Sequence, residues 1–408
     1  MAEFLTIDDA DVKDKTVLLR IDINVPYDEK TRKVGDSDRL REHAKTIKEL
    51  SDRGTKLVLL SHQGRKGDPD FVHLDQHAIL LSKHVGKEVK FIDDIVGERS
   101  KGAIKSLRSG EILLLDNVRF LDDEAEEKTP EEHKNSTIVK ALSPLADVFV
   151  NDAFSAAHRS QASVVGFTAM LPSYAGKVMA TEIEKLEDIL NNMKTSKHDT
   201  FVLGGAKPSD PLDVMIFMLE KEILEKVLVS GIVGELFLIA KGYKLGVTED
   251  FLKKKKYTEY LPQAEKLLNK YSDKIEIPVD VAIDDNGKRK EISVGDLPSD
   301  SLILDIGEKT IKKYADVIKD SATIGFKGPA GKYEEDVFGI GTKLILEAIA
   351  NSGCTSLVGG GHTLEALDKF KISREKFTHV SLGGGALIEF LSGKPMPAIE
   401  ALKAAAKK

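Results

Sequence analysis

The chain of 408 residues contains a single cysteine and no tryptophan. With only Cys354 available, no internal disulfide can form, and we expect a reducing compartment. No apolar run approaches the ~20 residues that a membrane-spanning helix requires. Residues 1–15 are too polar and acidic for a signal peptide. These absences predict a cytoplasmic protein that does not contact a membrane.

Basic residues are outnumbered by acidic ones, which gives a net charge of -7 and an isoelectric point near 5.9. This balance argues against nucleic acid as a partner. The chain is too long for one compact core, so we expect two or three domains. A hydrophobic content of 41% is enough to build large cores. The sequence leaves the oligomeric state open between a monomer and a homodimer.

Short β-rich runs alternate with helical patterns along most of the chain, which is typical of parallel sheets covered by helices on both faces. The fold class is therefore α/β, with two doubly wound, Rossmann-like domains joined by a long helix. We predict domains at 1–172 and 194–390, an interdomain helix at 173–193 and a tail at 391–408. Amphipathic helices are expected at 38–52 and 131–142. The predicted strands are 16–25, 56–61, 88–92, 111–115, 147–150, 200–203, 226–230, 276–282, 301–305, 322–325, 356–358 and 379–382.

The run from Val17 to Pro26 begins as a buried strand and then carries Arg20, Asp22 and Asn24 at alternate positions. Alternate residues of a strand point to the same side. Pro26 cannot continue a central strand, so the three polar side chains lie near its carboxyl end, where open α/β sheets bind ligands. We interpret them as part of a site for a small anionic substrate.

Further basic residues follow the strands of the first half, where the carboxyl ends of a doubly wound sheet converge. Arginine binds two oxygens of a phosphate or carboxylate at once. Several arginines at one edge repel each other unless an anion joins them. The residues are Arg39, His62, Arg65, Arg119, His158 and Arg159.

Other charged or histidine-bearing segments have simpler interpretations. The runs 122–128 and 253–256 are expected to be solvated surface. His73 and His77 have the spacing of a metal-binding pair, but no third ligand is nearby, so we expect them on a helix surface.

Glycine clusters end three strands of the second half, each before a helical pattern, and a fourth cluster has a similar character. Glycine lets the backbone approach a phosphate, and a helix N-terminus offers it free N–H groups. Walker A and Gly-x-Gly-x-x-Gly patterns are both missing, so neither a P-loop nor standard dinucleotide binding is indicated. The clusters predict a nucleotide site, and they are Gly204-Gly205 before Lys207, Gly325 to Gly331, Gly359 to Gly361 and Gly383 to Gly385.

These motifs, in this order along nearly the whole chain, resemble the phosphoglycerate kinase family, possibly its archaeal branch. The resemblance rests on 20–26, 61–65, 150–154 with His158-Arg159, 204–207, 328–331 with Glu334, and 359–363. It implies a glycolytic enzyme that transfers a phosphoryl group reversibly between ATP and the carboxylate of 3-phosphoglycerate. The products are ADP and 1,3-bisphosphoglycerate. The N-terminal domain would bind 3-phosphoglycerate, the C-terminal domain MgATP or MgADP, and the tail would pack on the N-terminal domain.

The resemblance also assigns roles. Asp22 and Asn24 would contact the substrate's carboxylate and hydroxyl region, while its phosphate and reacting end would be held by Arg39, His62, Arg65, Arg119 and Arg159. The same site would include Arg20, Gln63, Gly64 and His158. Arg39, Lys207 and the amides of Gly360 and Gly361 would stabilise the moving phosphoryl group. Remaining nucleotide contacts would come from Gly204, Gly205, Lys327, Gly328, Glu334, His362 and Thr363.

Three positions depart from the family's common bacterial and eukaryotic pattern. Pro211 replaces a lysine, Lys327 an asparagine, and His362 the aspartate usually linked to magnesium. Histidine is a poorer magnesium ligand than a carboxylate, so the metal's ligands stay unassigned. Lys327 would restore the cation lost at Pro211.

The resemblance further implies direct in-line transfer, with closure of the two domains about the helix near 173–193. Two alternatives have their own sequence requirements. A dinucleotide oxidoreductase would need Gly-x-Gly-x-x-Gly after the first strand, where Asn24 to Pro26 stands. A non-catalytic nucleotide-binding regulator would need neither the arginine cluster nor Lys207.

Overall fold

The computed structural model describes residues 3–196 and 198–407. It divides into two compact units, the first formed by Met1–Glu184 with Pro395–Lys408 and the second by Lys185–Lys394. The division falls inside one helix, Lys177–Thr195. No helix in the described residues is both long and apolar enough to cross a membrane.

The first unit is built on a six-stranded sheet in which every pairing is parallel, in the order β5-β6-β4-β1-β7-β8. Its strands are β1 (Thr16–Arg20), β4 (Lys56–Leu60), β5 (Val89–Ile92), β6 (Ile112–Leu115), β7 (Val148–Asn151) and β8 (Ser173–Ala175), with a separate two-stranded ribbon of β2 (Tyr27–Asp28) and β3 (Lys33–Val34). Its helices are α1 (Asp38–Asp52), α2 (Asp75–Val85), α3 (Glu98–Ser106), α4 (Pro130–His133), α5 (Thr137–Leu142), α6 (Ala162–Val165) and α16 (Pro397–Ala405), and α7 (Lys177–Thr195) begins here.

Helices cover both faces of this sheet because its strands are apolar on both sides. Val17 and Leu19 join one core, whereas Leu18, between them, joins the core on the opposite face. Such continuous apolar runs are typical of parallel strands buried on both faces. The C-terminal helix α16 contacts β8 and α6, so residues 397–405 belong to the first unit.

The second unit has its own six-stranded parallel sheet, in the order β11-β10-β9-β15-β16-β17, and a three-stranded antiparallel sheet, β13-β12-β14. Its strands are β9 (Asp199–Leu203), β10 (Lys226–Val229), β11 (Ile275–Glu276), β12 (Asp280–Asp285), β13 (Lys288–Ser293), β14 (Ile303–Ile306), β15 (Thr323–Lys327), β16 (Thr355–Gly359) and β17 (His379–Ser381). Its helices are α8 (Ser209–Glu220), α9 (Gly231–Ala240), α10 (Val247–Lys254), α11 (Leu261–Lys270), α12 (Glu308–Lys319), α13 (Ile340–Ser352), α14 (Gly361–Lys369) and α15 (Gly385–Leu391).

Each sheet reverses its winding direction at one point. In the first unit this switch lies between β1 and β7, and in the second between β9 and β15. Ligands of doubly wound sheets bind outside the carboxyl ends of the strands at such a switch. Arg20 and Asn151 end the two strands of the first switch, and Leu203 and Lys327 end those of the second.

Several predicted boundaries were wrong. The strand predicted at 16–25 ends at Arg20, and the helix predicted at 131–142 is broken between α4 and α5. The strand predicted at 276–282 is split into β11 and β12 around Pro278, which has no N–H to donate. The strand predicted at 301–305 lies in the antiparallel sheet rather than the parallel one.

Candidate active site

Asp22, in the first unit, is buried and surrounded by donors. Its Oδ2 accepts a hydrogen bond from Arg39 Nη1 at 2.6 Å and another from the hydroxyl of Ser155. Its Oδ1 accepts the backbone N–H of Asn24 at 3.0 Å. Burial opposes ionisation, but the charge of Arg39 and the hydrogen bonds from Ser155 and the Asn24 N–H hold the pKa of Asp22 well below its usual range. Asp22 is therefore a permanent anion that fixes the position of Arg39.

His62 is held in one neutral tautomer by Arg20. Arg20 Nη2 lies 2.9 Å from His62 Nδ1, and because a guanidinium only donates, Nδ1 must accept. Burial, together with the positive charges of Arg20, Arg119 and Arg159, holds the pKa of His62 well below its usual range. The proton is therefore on Nε2, which is left as a donor.

Arg20 itself is 1% exposed and is bound to protein groups. Its Nε donates to Ser163 Oγ at 2.9 Å, and its Nη1 donates to the carbonyl of Ile21. Arg20 therefore contacts His62 from the interior of the protein.

Gln63 and Asn24 build the loops around the site. Gln63 exchanges two hydrogen bonds with the backbone of Val25, at 2.9 and 3.0 Å. Asn24 Oδ1 accepts the N–H of Gly64 at 3.1 Å. His77, which we expected on a helix surface, is instead fully buried and contacts Gln63 Oε1 at 3.1 Å. That expectation was wrong because His77 lies on the inner face of α2.

The predicted arginines do converge. Burial and the charges of Arg159, Arg20 and Arg65 lower the pKa of Arg119 to about 10. Burial and Arg65 likewise lower the pKa of Arg159, with a smaller contribution from Arg39. Arg119 Nη1 donates to the carbonyl of Gly64, while Arg65 is exposed. His158 lies half-buried beside Arg159. Partly buried guanidinium groups this close to one another form a site that favours an anion.

The burial of Glu124, an acidic residue near this cluster, was not predicted from the sequence. We expected 122–128 to be solvated surface, yet Glu124 is only 1% exposed. It accepts hydrogen bonds from the N–H and hydroxyl of Ser163, at 3.0 and 2.5 Å. Burial raises its pKa to about 7, although Arg20 and Arg119 oppose that shift. A single buried residue inside a charged run gives no periodic signal.

A second missed feature connects Asp22 with the start of α7. The N–H of Asp22 donates to His43 Nε2 at 3.2 Å, and His43 Nδ1 lies 3.0 Å from Asp152 Oδ2. Asp152 Oδ1 in turn accepts the N–H groups of Val178 and Met179. His43 and Asp152 therefore tie the anion site to the helix N-terminus, and no spacing in the sequence indicated it.

Glycine turns meet at the switch point of the second unit. Gly328 has a φ of +84°, and a Cβ there would lie 2.3 Å from the carbonyl oxygen of Gly204. The N–H of Gly205 donates to the carbonyl of Pro329 at 2.8 Å. Thr363, fully buried, accepts the N–H of Gly328 at 3.0 Å. Only glycine permits this approach of the loops after β9 and β15.

Two lysines lie beside these turns. Lys327 Nζ forms an ion pair with Asp210 at 3.0 Å. Burial lowers the pKa of Lys327, as does the charge of Lys207, whereas Asp210 raises it. Lys207 is exposed, and Gly361 begins α14 directly after Gly360, whose φ is +99°. The structure thus brings the predicted cations to the same strand ends as the glycines.

A cavity of about 580 Å³ opens next to the turns. Three of the residues expected to bind nucleotide, Gly205, Glu334 and His362, line it. The hydroxyl of Tyr333 donates to Glu365, and His362 Nδ1 lies 3.2 Å from the oxygen of the same hydroxyl. Glu235 lines the same cavity and was not singled out in the sequence. Across residues 3–196 and 198–407, no three His, Cys, Asp or Glu side chains form a metal-binding group.

An arginine cluster in one doubly wound unit and a glycine-lined cavity in the other define a two-domain phosphotransferase. A sequence model of the family described as phosphoglycerate kinase matches residues 7–394. The phosphoglycerate kinase of Methanothermobacter thermautotrophicus is 43% identical over 402 residues, which is 98% of this chain and 97% of the relative. That of Saccharolobus solfataricus is 44% identical over 399 residues, with 97% and 96% covered.

The crystal structure of phosphoglycerate kinase from Pyrococcus horikoshii OT3 superposes with a TM-score of 0.93 at 36% identity. It covers 99% of this chain and 100% of that one. This confirms the predicted α/β class with two parallel-sheet domains. The chain belongs to the phosphoglycerate kinase family, and the archaeal relatives fit the predicted branch.

Proposed function

We propose that this chain transfers a phosphoryl group reversibly between MgATP and the carboxylate of 3-phosphoglycerate, giving MgADP and 1,3-bisphosphoglycerate, as a cytoplasmic step of glycolysis and gluconeogenesis. The observation that carries the proposal is the guanidinium cluster of the first unit. Burial and the charges of neighbouring guanidinium groups lower the pKa values of Arg119 and Arg159, so the cluster gains most from a ligand with several negative oxygens. A phosphate and a carboxylate on one small molecule provide them.

In the first unit, Asp22 and Asn24 hold the hydroxyl and carboxylate region of 3-phosphoglycerate. Arg65, Arg119 and Arg159 hold its phosphate, and His62 donates from Nε2. Arg20, Gln63, Gly64 and His158 complete the site. Support comes from the contacts of Arg20 with His62, of Gln63 with Val25, and of Gly64 with Asn24.

In the second unit, Glu334 binds the ribose of the nucleotide. The rest of the nucleotide is held by Gly204, Gly205, Lys327, Gly328, Gly360, His362 and Thr363. Arg39, Lys207 and the Gly361 amide neutralise charge on the transferring group, since positioning and charge stabilisation dominate phosphoryl transfer. Magnesium enters as part of MgATP, where it offsets charge on the β- and γ-phosphates, and no side chain is assigned to it. Helix α7 is the proposed hinge.

The test couples formation of 1,3-bisphosphoglycerate from ATP, 3-phosphoglycerate and Mg²⁺ to NADH oxidation by added glyceraldehyde-3-phosphate dehydrogenase. We expect turnover only when both substrates are present. Omitting each substrate in turn is the control for ATP hydrolysis. Nucleotide binding without turnover, with Mn²⁺ also tried and the fold intact by circular dichroism, would favour the regulator instead.

A further inference from the structure

Glu124 is a buried carboxylic acid that hydrogen bonds connect to the arginine cluster of the first unit. Its two oxygens accept the hydroxyl of Ser163 at 2.5 Å and the N–H of the same residue at 3.0 Å. The hydroxyl oxygen of Ser163 in turn accepts from Arg20 Nε at 2.9 Å. A hydroxyl has one proton, and because Glu124 takes it, the lone pairs of the oxygen are left for Arg20. Glu124 therefore fixes the way in which Ser163 meets Arg20.

The same path of contacts continues from Arg20 to His62. Arg20 Nη2 donates to His62 Nδ1 at 2.9 Å, which keeps the proton of the imidazole on Nε2. Arg20 cannot turn away without breaking its bonds to Ser163 and to the carbonyl of Ile21. One continuous path thus joins the buried carboxyl group of Glu124 to a histidine that we assign to the substrate.

The charged groups that act on Glu124 are cations. They are Arg20, at the end of β1, and Arg119, in the turn at 118–120, and both favour the ionised carboxylate. Helix α6, which supplies Ser163, has no titratable residue. On the neighbouring α4, His133 uses both ring nitrogens in hydrogen bonds to other residues. Burial outweighs the two cations and raises the pKa of Glu124 to about 7, so both of its protonation states are populated near neutral pH.

We propose that Glu124 is a positioning residue of the anion site, which orients His62 through Ser163 and Arg20 and whose own charge reduces the positive charge that the substrate meets. An ionised Glu124 and an anionic substrate are attracted to the same arginines, so each weakens the binding of the other. Linkage of this kind is reciprocal, and a bound substrate therefore raises the affinity of Glu124 for its proton. This inference rests on the proposed function and adds a residue that does not touch the substrate.

The size of the effect follows from the effect of one nearby charge. Such a charge shifts a pKa by about one unit or more, and one unit corresponds to a tenfold change in affinity. The Kd of the wild type for 3-phosphoglycerate, divided by that of Glu124→Gln, should therefore rise about tenfold between pH 5.5 and pH 9. Below pH 6 Glu124 carries its proton, and the ratio should be constant. Most of the rise should occur between pH 7 and pH 8.

The experiment is calorimetric titration of 3-phosphoglycerate into nucleotide-free wild type, Glu124→Gln and Glu126→Gln at pH 5.5, 6.5, 7.5 and 9. Protonation of the substrate's own phosphate is common to the three proteins, so it cancels in the ratios. Glu126 is exposed in the same acidic run, and its variant should follow the wild type. In two buffers of different ionisation enthalpy at pH 7.5, the wild type should take up about half a proton more than Glu124→Gln.

Ser163→Ala tests the path between Glu124 and Arg20. In the coupled assay it should raise KM for 3-phosphoglycerate by about tenfold and leave KM for ATP within about twofold, because the path ends at His62 in the first unit. Circular dichroism verifies that the variant is folded. A purely structural role of Ser163 would lower the active fraction, and hence kcat, without this difference between the two KM values.

A wild-type to Glu124→Gln ratio that does not change with pH would overturn the inference, and equal changes in both KM values would reject the path through Ser163. Failure of 3-phosphoglycerate to bind at any pH would instead count against the proposed function. The same titrations with sulfate, whose charge is constant across this pH range, would then decide the role of Glu124. A rise of about tenfold in the ratio supports that role, whereas a constant ratio or no binding of sulfate rejects it.

Discussion

Glu124→Gln should stabilise the first unit, and the gain should grow with pH. Glu124 is buried beneath the arginine cluster, and burial raises its pKa to about 7 from an ordinary 4.5. As pH rises from 4.5, the unfolded chain therefore loses this proton before the folded chain does. Wild-type stability falls across this interval, and the loss is complete above pH 7. Glutamine does not titrate, so the variant does not lose this stability as the pH rises.

The magnitude follows from the two pKa values. Each unit of pKa difference corresponds to about 1.36 kcal/mol. The free energy of unfolding of Glu124→Gln, relative to that of the wild type, should therefore rise by about 3 kcal/mol between pH 4.5 and pH 8. For a unit of this size, that corresponds to about 6–12 °C in Tm. The glutamine amide can still accept from the N–H of Ser163 and donate to its hydroxyl, so the local hydrogen bonds persist.

The assay is scanning calorimetry of wild type, Glu124→Gln and Glu126→Gln at pH 5, 6, 7 and 8. Glu126 is a matched control, since it lies in the same acidic run but is exposed and paired with Lys128. Because two units need not unfold together, each transition is fitted separately. A gap that stays constant with pH, or one that Glu126→Gln reproduces, would refute the assignment of Glu124 as a buried acid.

Three further changes test the site and the fold. Arg39→Ala should lower kcat by about 100-fold or more with a much smaller rise in KM for ATP, because it removes charge stabilisation of the transferring phosphoryl group. Arg41→Ala, on the same helix, should change neither kcat nor KM for ATP. Lys207→Ala should likewise act mainly on kcat, and equal changes in kcat and KM for ATP would contradict this. Gly328→Ala should cost about 2 kcal/mol or more in urea unfolding, through its positive φ and the contact with Gly204. Gly67→Ala, with positive φ but open space, should cost less.

The parallel strands were predictable because their signal is local. The apolar runs of β4 and β6 are buried on both faces, and such runs are recognisable in the sequence. The sequence also placed Arg119 and Lys207 at strand ends, and the regular alternation of strand and helix then put each of them at the carboxyl edge of the sheet of its own unit. The sequence pattern therefore predicted the edge of the sheet at which such residues lie, but not the contacts that they form there.

The end of β1 shows why the contacts within the site could not be predicted from the sequence. The N–H of Ile21 still donates to the carbonyl of Leu60 in β4, but beyond Ile21 the backbone N–H groups bond to side chains. Asp22 donates to His43, Ile23 to Ser61 and Val25 to Gln63. These partners lie far along the chain, so only the tertiary fold decides that the strand stops.

The hairpin of β12 and β13 was missed for a different reason. The start of β12 was predicted within 276–282, but β13 is too polar to stand out as a strand. The Asn286-Gly287 turn, with φ of +54° and +80°, is nevertheless a recognisable hairpin signal. The burial of Glu124 and Glu235 is a harder case, since an acidic residue inside a core is invisible to any periodic pattern.

The state of the two candidate bases in the first unit bears on the reaction itself. His62 Nδ1 already accepts from Arg20, and both burial and neighbouring cations oppose a second proton on the ring. Asp22 has a pKa well below its usual range, so it also binds a proton poorly. A kinase that phosphorylates a hydroxyl needs a group to take the hydroxyl's proton. A carboxylate acceptor is already ionised, and for that acceptor a site rich in donors and poor in bases is sufficient.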